Sequence, residues 1–110
     1  MAANARRGEV AAQLGGKTMR LRLTLGALAE LEDAFAADDM SALVARFSTG
    51  KLSAGDMIRV LGAGLRGAGE AISDDEVGRL EIDGGASAYA AIVAELLTAT
   101  FGKADQPANP

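Results

Sequence analysis

The sequence contains no cysteine, no histidine and no tryptophan. Without cysteine the chain forms no disulfide and has no thiolate ligand or thiol nucleophile, which fits a reducing compartment. Without histidine a Ser-His-Asp triad is impossible, and a common metal ligand and general base is missing. These absences argue against an enzyme, so we predict no catalytic, metal-binding or cofactor-binding residues.

Long apolar runs, aromatic residues and positive charge are also scarce. No run reaches the roughly 18 apolar residues that a membrane span requires, and no apolar segment follows Arg6 and Arg7 as in a secretory signal. Aromatic residues make up 4% of the chain, so the core must consist of aliphatic side chains and methionine. The net charge of −4 argues against nucleic acid as the main partner.

The length and the composition predict one folded domain over residues 1–102. A chain of 110 residues that is 49% hydrophobic can bury a sizeable core without disulfides. Within that range, Met1–Arg7 is small and polar, and we expect it to be frayed. The last residues, Lys103–Pro110, are polar and contain both prolines of the chain, which predicts a disordered tail.

Two alternating segments near the N-terminus predict a β-hairpin. Apolar and other residues alternate from Glu9 to Leu14 and again from Lys17 to Thr24, with Gly15-Gly16 between them. A Gly-Gly link suits the tight turns that require positive φ. The apolar face of this hairpin would consist of Val10, Ala12, Leu14, Met19, Leu21 and Leu23.

The rest of the chain reads as helices with recognisable starts. Thr24 is the expected N-cap of a first helix, from Leu25 to about Ala37, whose apolar stripe comprises Leu25, Leu28, Leu31 and Phe35. Asp38 or Asp39 would cap a second helix ending near Phe47, followed by a stop at Gly50. Capping boxes predict two more starts, Ser53 with Asp56 and Ser73 with Glu76.

A final helix is predicted from about Ala86 to Phe101, ended by Gly102. Together these elements give an α+β fold, an N-terminal β-hairpin packed on a bundle of four to five short helices. Some of the apolar helix faces would remain available to a partner, because a chain this short cannot bury them all.

Gly62, Gly64 and Gly67 match the dinucleotide fingerprint G-x-G-x-x-G. That motif needs a strand before the glycines and a helix N-terminus after them. Here they fall at the end of a predicted helix, so we interpret them as small residues that let neighbouring elements approach closely.

Other motifs have structural interpretations. Ser87 lacks the last glycine of a nucleophile elbow, and we place it at a helix N-terminus. The acidic pair Asp38-Asp39 and the run Asp74–Glu76 lack calcium-loop spacing and suit helix N-termini. A helix-turn-helix around Ser48–Leu52 would present few base-reading side chains, so packing explains it better.

Three segments taken in order resemble a known family. They are Leu23–Glu32, Leu61–Gly67 and Ala94–Gly102, and the likeness covers about Gly8 to Gly102. The chain resembles the small tail protein of gene transfer agents, phage-like particles that package host DNA, and of related prophages. The family has been described both as tail-tube-like and as a tail assembly chaperone.

The resemblance implies a non-catalytic protein of the bacterial host cytoplasm that acts during particle assembly. As a chaperone it would bind the long, apolar, helical tape-measure protein while tail tube subunits polymerise around it, and those subunits are a second candidate partner. It implies no cofactor, nucleic acid or membrane partner, and it leaves a homo-oligomer open. The alternatives are a structural subunit of the tail tube, or another tail subunit of the same particle, and, from a different class, a metal-independent enzyme.

The resemblance carries no residue-level binding motif, so partner-binding residues are predicted from their character alone. Each is apolar and lies late on its helix face. The predicted set is Phe47, Leu65, Tyr89, Ile92, Leu97 and Phe101.

Overall fold

The computed structural model describes residues 8–102, in which two strands are followed by five helices. The elements are β1 (Glu9–Leu14), β2 (Lys17–Arg22), α1 (Leu25–Ala34), α2 (Met40–Ser48), α3 (Ala54–Gly67), α4 (Asp74–Val77) and α5 (Gly85–Phe101). The predicted α+β fold is confirmed. The predictions for Met1–Arg7 and Lys103–Pro110 lie outside the described residues. Across residues 8–102, no helix has both the length and the apolar character needed to cross a bilayer.

The hairpin forms as its sequence predicts. Strands β1 and β2 pair antiparallel, with Leu14 opposite Lys17 beside the turn. Gly15 and Gly16 have φ of 60° and 84°, the positive values that a type I′ turn requires at both central positions. The predicted apolar face is buried throughout, at Val10, Ala12, Leu14, Met19, Leu21 and Leu23.

Helix α3 is the central element, since it packs against β2, α1, α4 and α5. Its glycines allow these close approaches. A Cβ atom added at Gly64 would lie 2.7 Å from Cδ2 of Leu96 and 3.2 Å from Cβ of Leu21. One added at Gly62 would lie 2.2 Å from Oδ1 of Asp74. The interpretation of these glycines as packing residues is therefore confirmed.

Local hydrogen bonds fix the helix starts. Ser53 and Ser73 both form complete capping boxes, with Asp56 and Glu76 as the reciprocal partners. Asp39 and Thr24 are the other predicted caps. The Asp39 carboxylate accepts a hydrogen bond from the Ala42 amide, and the Thr24 hydroxyl accepts one from the Ala27 amide. Ser87 lies in the first turn of α5, and its hydroxyl donates to the Gly84 carbonyl.

Helix α1 ends at Ala34, so the predicted end at Ala37 is wrong. The backbone of Ala36 is left-handed, with φ 53°. The amides of Ala36 and Ala37 donate to the carbonyls of Asp33 and Glu32, at 3.3 and 2.9 Å. This is a Schellman ending, which satisfies the last carbonyls but normally uses glycine at the left-handed position.

The prediction that Leu25 belongs to the buried stripe of α1 is also wrong, because its exposed fraction is 81%. The buried residue of the first turn is Ala27, on the side that faces Gly67 of α3. Two residues along a helix correspond to a rotation of roughly 200°. Leu25 therefore points towards solvent.

The left-handed Ala36 leads to a stability prediction. Replacing Ala36 by glycine is expected to raise the free energy of unfolding by about 0.5–1 kcal/mol, since the steric strain is relieved at some cost in chain entropy. Urea denaturation followed by circular dichroism measures this. Gly69→Ala is the matched opposite, because Gly69 has φ 100° in the equivalent ending of α3 and no atom lies within 4 Å of an added Cβ. The Gly69→Ala variant should lose about 1 kcal/mol of unfolding free energy. A lower unfolding free energy in Ala36→Gly would contradict the argument.

Candidate partner-binding surface

The fold separates the predicted partner-binding residues into three places. Phe47 and Phe101 lie close together at one corner, with Leu97 one turn before Phe101 on α5. Tyr89 and Ile92 line a groove beside β1. Leu65 lies in the core. Partner contact remains a prediction for each of them, but their accessibility differs.

Leu65 and Ile92 have exposed fractions of 0% and 8%. A partner could touch Leu65 only if α3 separated from its neighbours. Tyr89 is half-buried, and its hydroxyl donates a hydrogen bond to the Leu80 carbonyl. Leu65, Ile92 and Tyr89 therefore lie beneath the surface or line the groove beside β1, and they do not project from the surface.

All three phenylalanines of the chain meet at one corner. The rings of Phe35 and Phe47 meet edge to face, with centroids 5.4 Å apart, and the centroids of Phe47 and Phe101 are 6.3 Å apart. These spacings lie in the range of favourable aromatic pairs. Each ring is half-buried, and so is Leu97. We call Phe35, Phe47, Leu97 and Phe101 the aromatic patch.

The aromatic patch stands where three helices end. Phe35 is the C-cap of α1, Phe47 lies in the last turn of α2, and Phe101 is the last residue of α5. A helix C-terminus carries a partial negative charge of about half an electron. The patch therefore combines apolar rings with a surrounding potential that favours cations.

Arg46 is the cation that the chain itself places there. Its guanidinium carbon lies 5.4 Å from the Phe35 ring centroid, a cation–π arrangement. Its Nη1 donates to the Lys51 carbonyl at 3.0 Å, and its Nη2 to Oδ2 of Asp56 at 2.8 Å. The Ser53 amide and, after it, the Arg46 guanidinium hold the pKa of the Asp56 carboxyl below its usual value, although burial opposes them. Arg46 thus joins the end of α2 to the start of α3 along one side of the patch.

Sequence reasoning missed Phe35 as a patch residue. It assigned Phe35 to the stripe of the first helix and gave no reason to connect it with Phe47 or Phe101. The three residues are distant in sequence, and only tertiary packing brings them together. The sequence did offer one indication, because the chain has few aromatic residues. Partly exposed aromatic side chains dominate interface energetics, so each phenylalanine was a candidate for partner contact.

The main ionic cluster outside the patch has a structural role. Arg66 of α3 pairs with Glu30 of α1 at 2.6 Å and with Asp74 of α4 at 3.0 Å, and it donates to the Ile72 carbonyl. The hydrogen bond that Arg66 donates to the Glu30 carboxylate is the main cause that raises the pKa of Arg66 above its usual value. Within residues 8–102, no three potential metal-ligating side chains come together.

The comparison with protein families gives a match over nearly the whole chain. The family model that matches residues 7–103 carries the description "Phage tail tube protein, GTA-gp10". Neither the comparison with curated proteins nor that with solved structures returned a match. The resemblance to the small tail proteins of gene transfer agents is thus confirmed. The chain belongs to the phage tail protein family of GTA-gp10.

Proposed function

We propose that this tail protein is a tail assembly chaperone that binds the tape-measure protein during morphogenesis of a gene transfer agent or prophage particle. The observation that carries the proposal is the aromatic patch. A chaperone for a long helical chain needs an apolar surface that accepts amphipathic segments reversibly, and half-buried rings supply one. The protein would act without catalysis, in the cytoplasm of the bacterial host.

The geometry of the patch suits a helix as the bound element. Leu97 and Phe101 are one turn apart on α5, and Phe47 and Phe35 extend the same surface across α2 and α1. An amphipathic helix presents anchors at similar intervals along one face. Side chains fixed by partial burial lose less rotamer entropy on binding than freely exposed ones. The patch is therefore preorganised for a helical segment.

The family description favours a second candidate, a structural subunit of the tail tube. A subunit of such a tube is expected to contribute an extended sheet to the ring. In residues 8–102 the sheet has two strands, and its apolar face is covered by α3 and α5. This arrangement gives less support to a tube built from the hairpin than to a helical surface that serves a partner.

The two candidates predict opposite results in purified particles. For a chaperone, co-expression of the full chain should increase the soluble fraction of the tape-measure protein encoded with it, and mass spectrometry should find the chain absent from finished particles. A tube subunit would instead be abundant in the particles, in a ring stoichiometry. That result would refute the chaperone proposal.

A patch variant links the activity to the surface. Leu97→Asp combined with Phe101→Asp should abolish the solubilising effect, while Leu25→Asp, which charges an exposed leucine outside the patch, should retain it. Circular dichroism and urea denaturation check that both proteins fold. If the double variant unfolds, Leu97 and Phe101 belong to the core, and the assignment of these residues fails.

A further inference from the structure

A groove runs beside β1, on the side away from β2. Its volume is about 1190 Å³, above the roughly 300–1,000 Å³ typical of small-molecule pockets. One wall is the edge of β1, another is the segment 79–83, and the third is the first half of α5. Much of the lining is small, with Gly15, Gly16, Gly85, Ala88 and Ala91 among its members. The groove is therefore wide enough for main chain to approach the strand.

The turn decides which backbone groups of β1 face this groove. In a hairpin closed by two residues, the flanking pair Leu14 and Lys17 exchanges hydrogen bonds, and the pairs alternate from there. Ala11 and Gln13 belong to the alternate set, so their N–H and C=O groups point away from β2. Both residues are exposed and line the groove. They present two donors and two acceptors in the spacing of a strand edge.

The chain itself makes one bond of a third strand. The Gly15 amide, next in the outward-facing series after Gln13, donates to the Glu81 carbonyl at 2.8 Å. The Tyr89 hydroxyl fixes the adjacent Leu80 carbonyl from α5. Segment 79–83 then leads into α5 instead of continuing along β1. Among residues 8–102, the third-strand position is thus fixed at one end and open beside Ala11 and Gln13.

The charges around the groove specify what would fill that position. Glu81, Asp83 and Glu95 line it, and Arg79 is the single cation among the described lining residues. The side facing α5 is small and apolar at Ala88 and Ala91, which leaves room for modest apolar side chains. Acidic groups on the walls favour a positively charged occupant.

We infer that the free edge of β1 binds an extended, cationic peptide segment as a third strand, with alternate apolar side chains directed at α5. This is a binding mode distinct from the aromatic patch, because main-chain hydrogen bonds supply the affinity and the groove supplies the selectivity. Tyr89 at the groove and Phe101 at the patch are 12 residues apart on α5, roughly 18 Å along the helix axis. The strand site can therefore be tested independently of the proposed function.

The probe is a short synthetic peptide in which arginine alternates with valine, titrated into the full-length protein. Binding is measured by calorimetry and by NMR hydrogen exchange. The amides of Ala11 and Gln13 should become protected when the peptide is bound. Saturable binding without that protection, or no binding at all, would overturn the inference.

A proline pair tests the strand geometry. Gln13→Pro removes an outward-facing amide from β1 without removing a hairpin hydrogen bond, and it should weaken peptide binding about tenfold or more. Thr18→Pro is its matched control, since Thr18 lies opposite Gln13 and faces outward from β2. Both variants lose the same hydrogen bond, which the side-chain amide of Gln13 donates to the Thr18 hydroxyl. Equal effects of the two prolines on binding would refute the β1 edge as the site.

Two triple variants test whether the groove selects a cationic peptide. Neutralising the groove with Glu81→Gln, Asp83→Asn and Glu95→Gln should weaken binding severalfold. The control changes the net charge equally, away from the groove, with Glu32→Gln, Asp33→Asn and Glu70→Gln. Similar losses in both triple variants would show nonspecific attraction to an acidic protein and overturn the inference. Dimerisation of the protein through β1 in place of peptide binding, seen by light scattering, would also overturn it.

Discussion

Replacing Gly67 by alanine is expected to destabilise the protein by about 3 kcal/mol, a large part of the 5–15 kcal/mol typical of domains. The reason is a clash with main chain. A Cβ at Gly67 would lie 2.0 Å from the carbonyl oxygen of Arg22 and 3.2 Å from its carbonyl carbon. Because a backbone carbonyl cannot rotate aside as a side chain can, the end of α3 must move away from the end of β2. Urea denaturation measures the loss of unfolding free energy.

Gly55→Ala, in the same helix, is the matched control. The nearest atom to an added Cβ there is the Ser53 hydroxyl oxygen at 3.8 Å, an ordinary contact. This variant should gain up to about 1 kcal/mol, because alanine favours a helix more than glycine does. A Gly67→Ala protein that unfolds at the wild-type urea concentration would show that α3 and β2 approach less closely than described.

Replacing Leu65 by alanine is expected to cost about 3–4 kcal/mol. Leu65 is fully buried at 0% exposure, within the helix that contacts four other elements. Its truncation removes favourable burial and leaves a cavity that the surrounding helices fill only in part. A thermal melt should show the transition lowered by more than 10 °C, since about 1 kcal/mol corresponds to roughly 4–8 °C in a domain of this size.

Leu25→Ala is the control for this truncation. Leu25 is 81% exposed, so the same chemical change should alter the unfolding free energy by less than about 0.5 kcal/mol. The pair also bears on partner binding, for which Leu65 was predicted from its position on the helix face. If Leu65→Ala melts like the wild type, Leu65 is accessible and a direct contact with a partner becomes tenable.

The features that the sequence predicts well depend on contacts within a few residues. Thr24, Ser53 and Ser73 each accept an amide three residues further on, so the pattern that predicts the cap contains both partners. The Gly15-Gly16 turn is equally local, because its two residues supply the positive φ themselves. Such interactions are complete before the tertiary fold is considered.

Features that depend on distant neighbours are harder to predict. Helical periodicity places Leu25 near the apolar stripe of α1, but it does not show that the first turn faces Gly67 through Ala27. The end of α1 is a similar case. A left-handed alanine at Ala36 is unfavourable in isolation, so periodicity extends the helix past it.

The partner-binding surface shows the same division. The apolar character of Phe47, Leu97 and Phe101 was visible in the sequence, but their meeting with Phe35 depends on where α1, α2 and α5 end in space. Burial of Leu65 was not distinguishable from partial exposure, because core and docking residues share the same composition. The glycines of α3 were recognised as packing residues, while the atoms they meet came only from the structure.

The position of Tyr89 offers a practical benefit. The chain has one tyrosine and no tryptophan, so emission excited at wavelengths that phenylalanine does not absorb comes from a single ring. That ring lies on the groove wall, with its hydroxyl bonded to the Leu80 carbonyl. Filling the groove would alter the ring's contact with water and hence its quantum yield. The unlabelled protein therefore carries its own optical reporter, with which ligands lacking aromatic residues can be screened in solution.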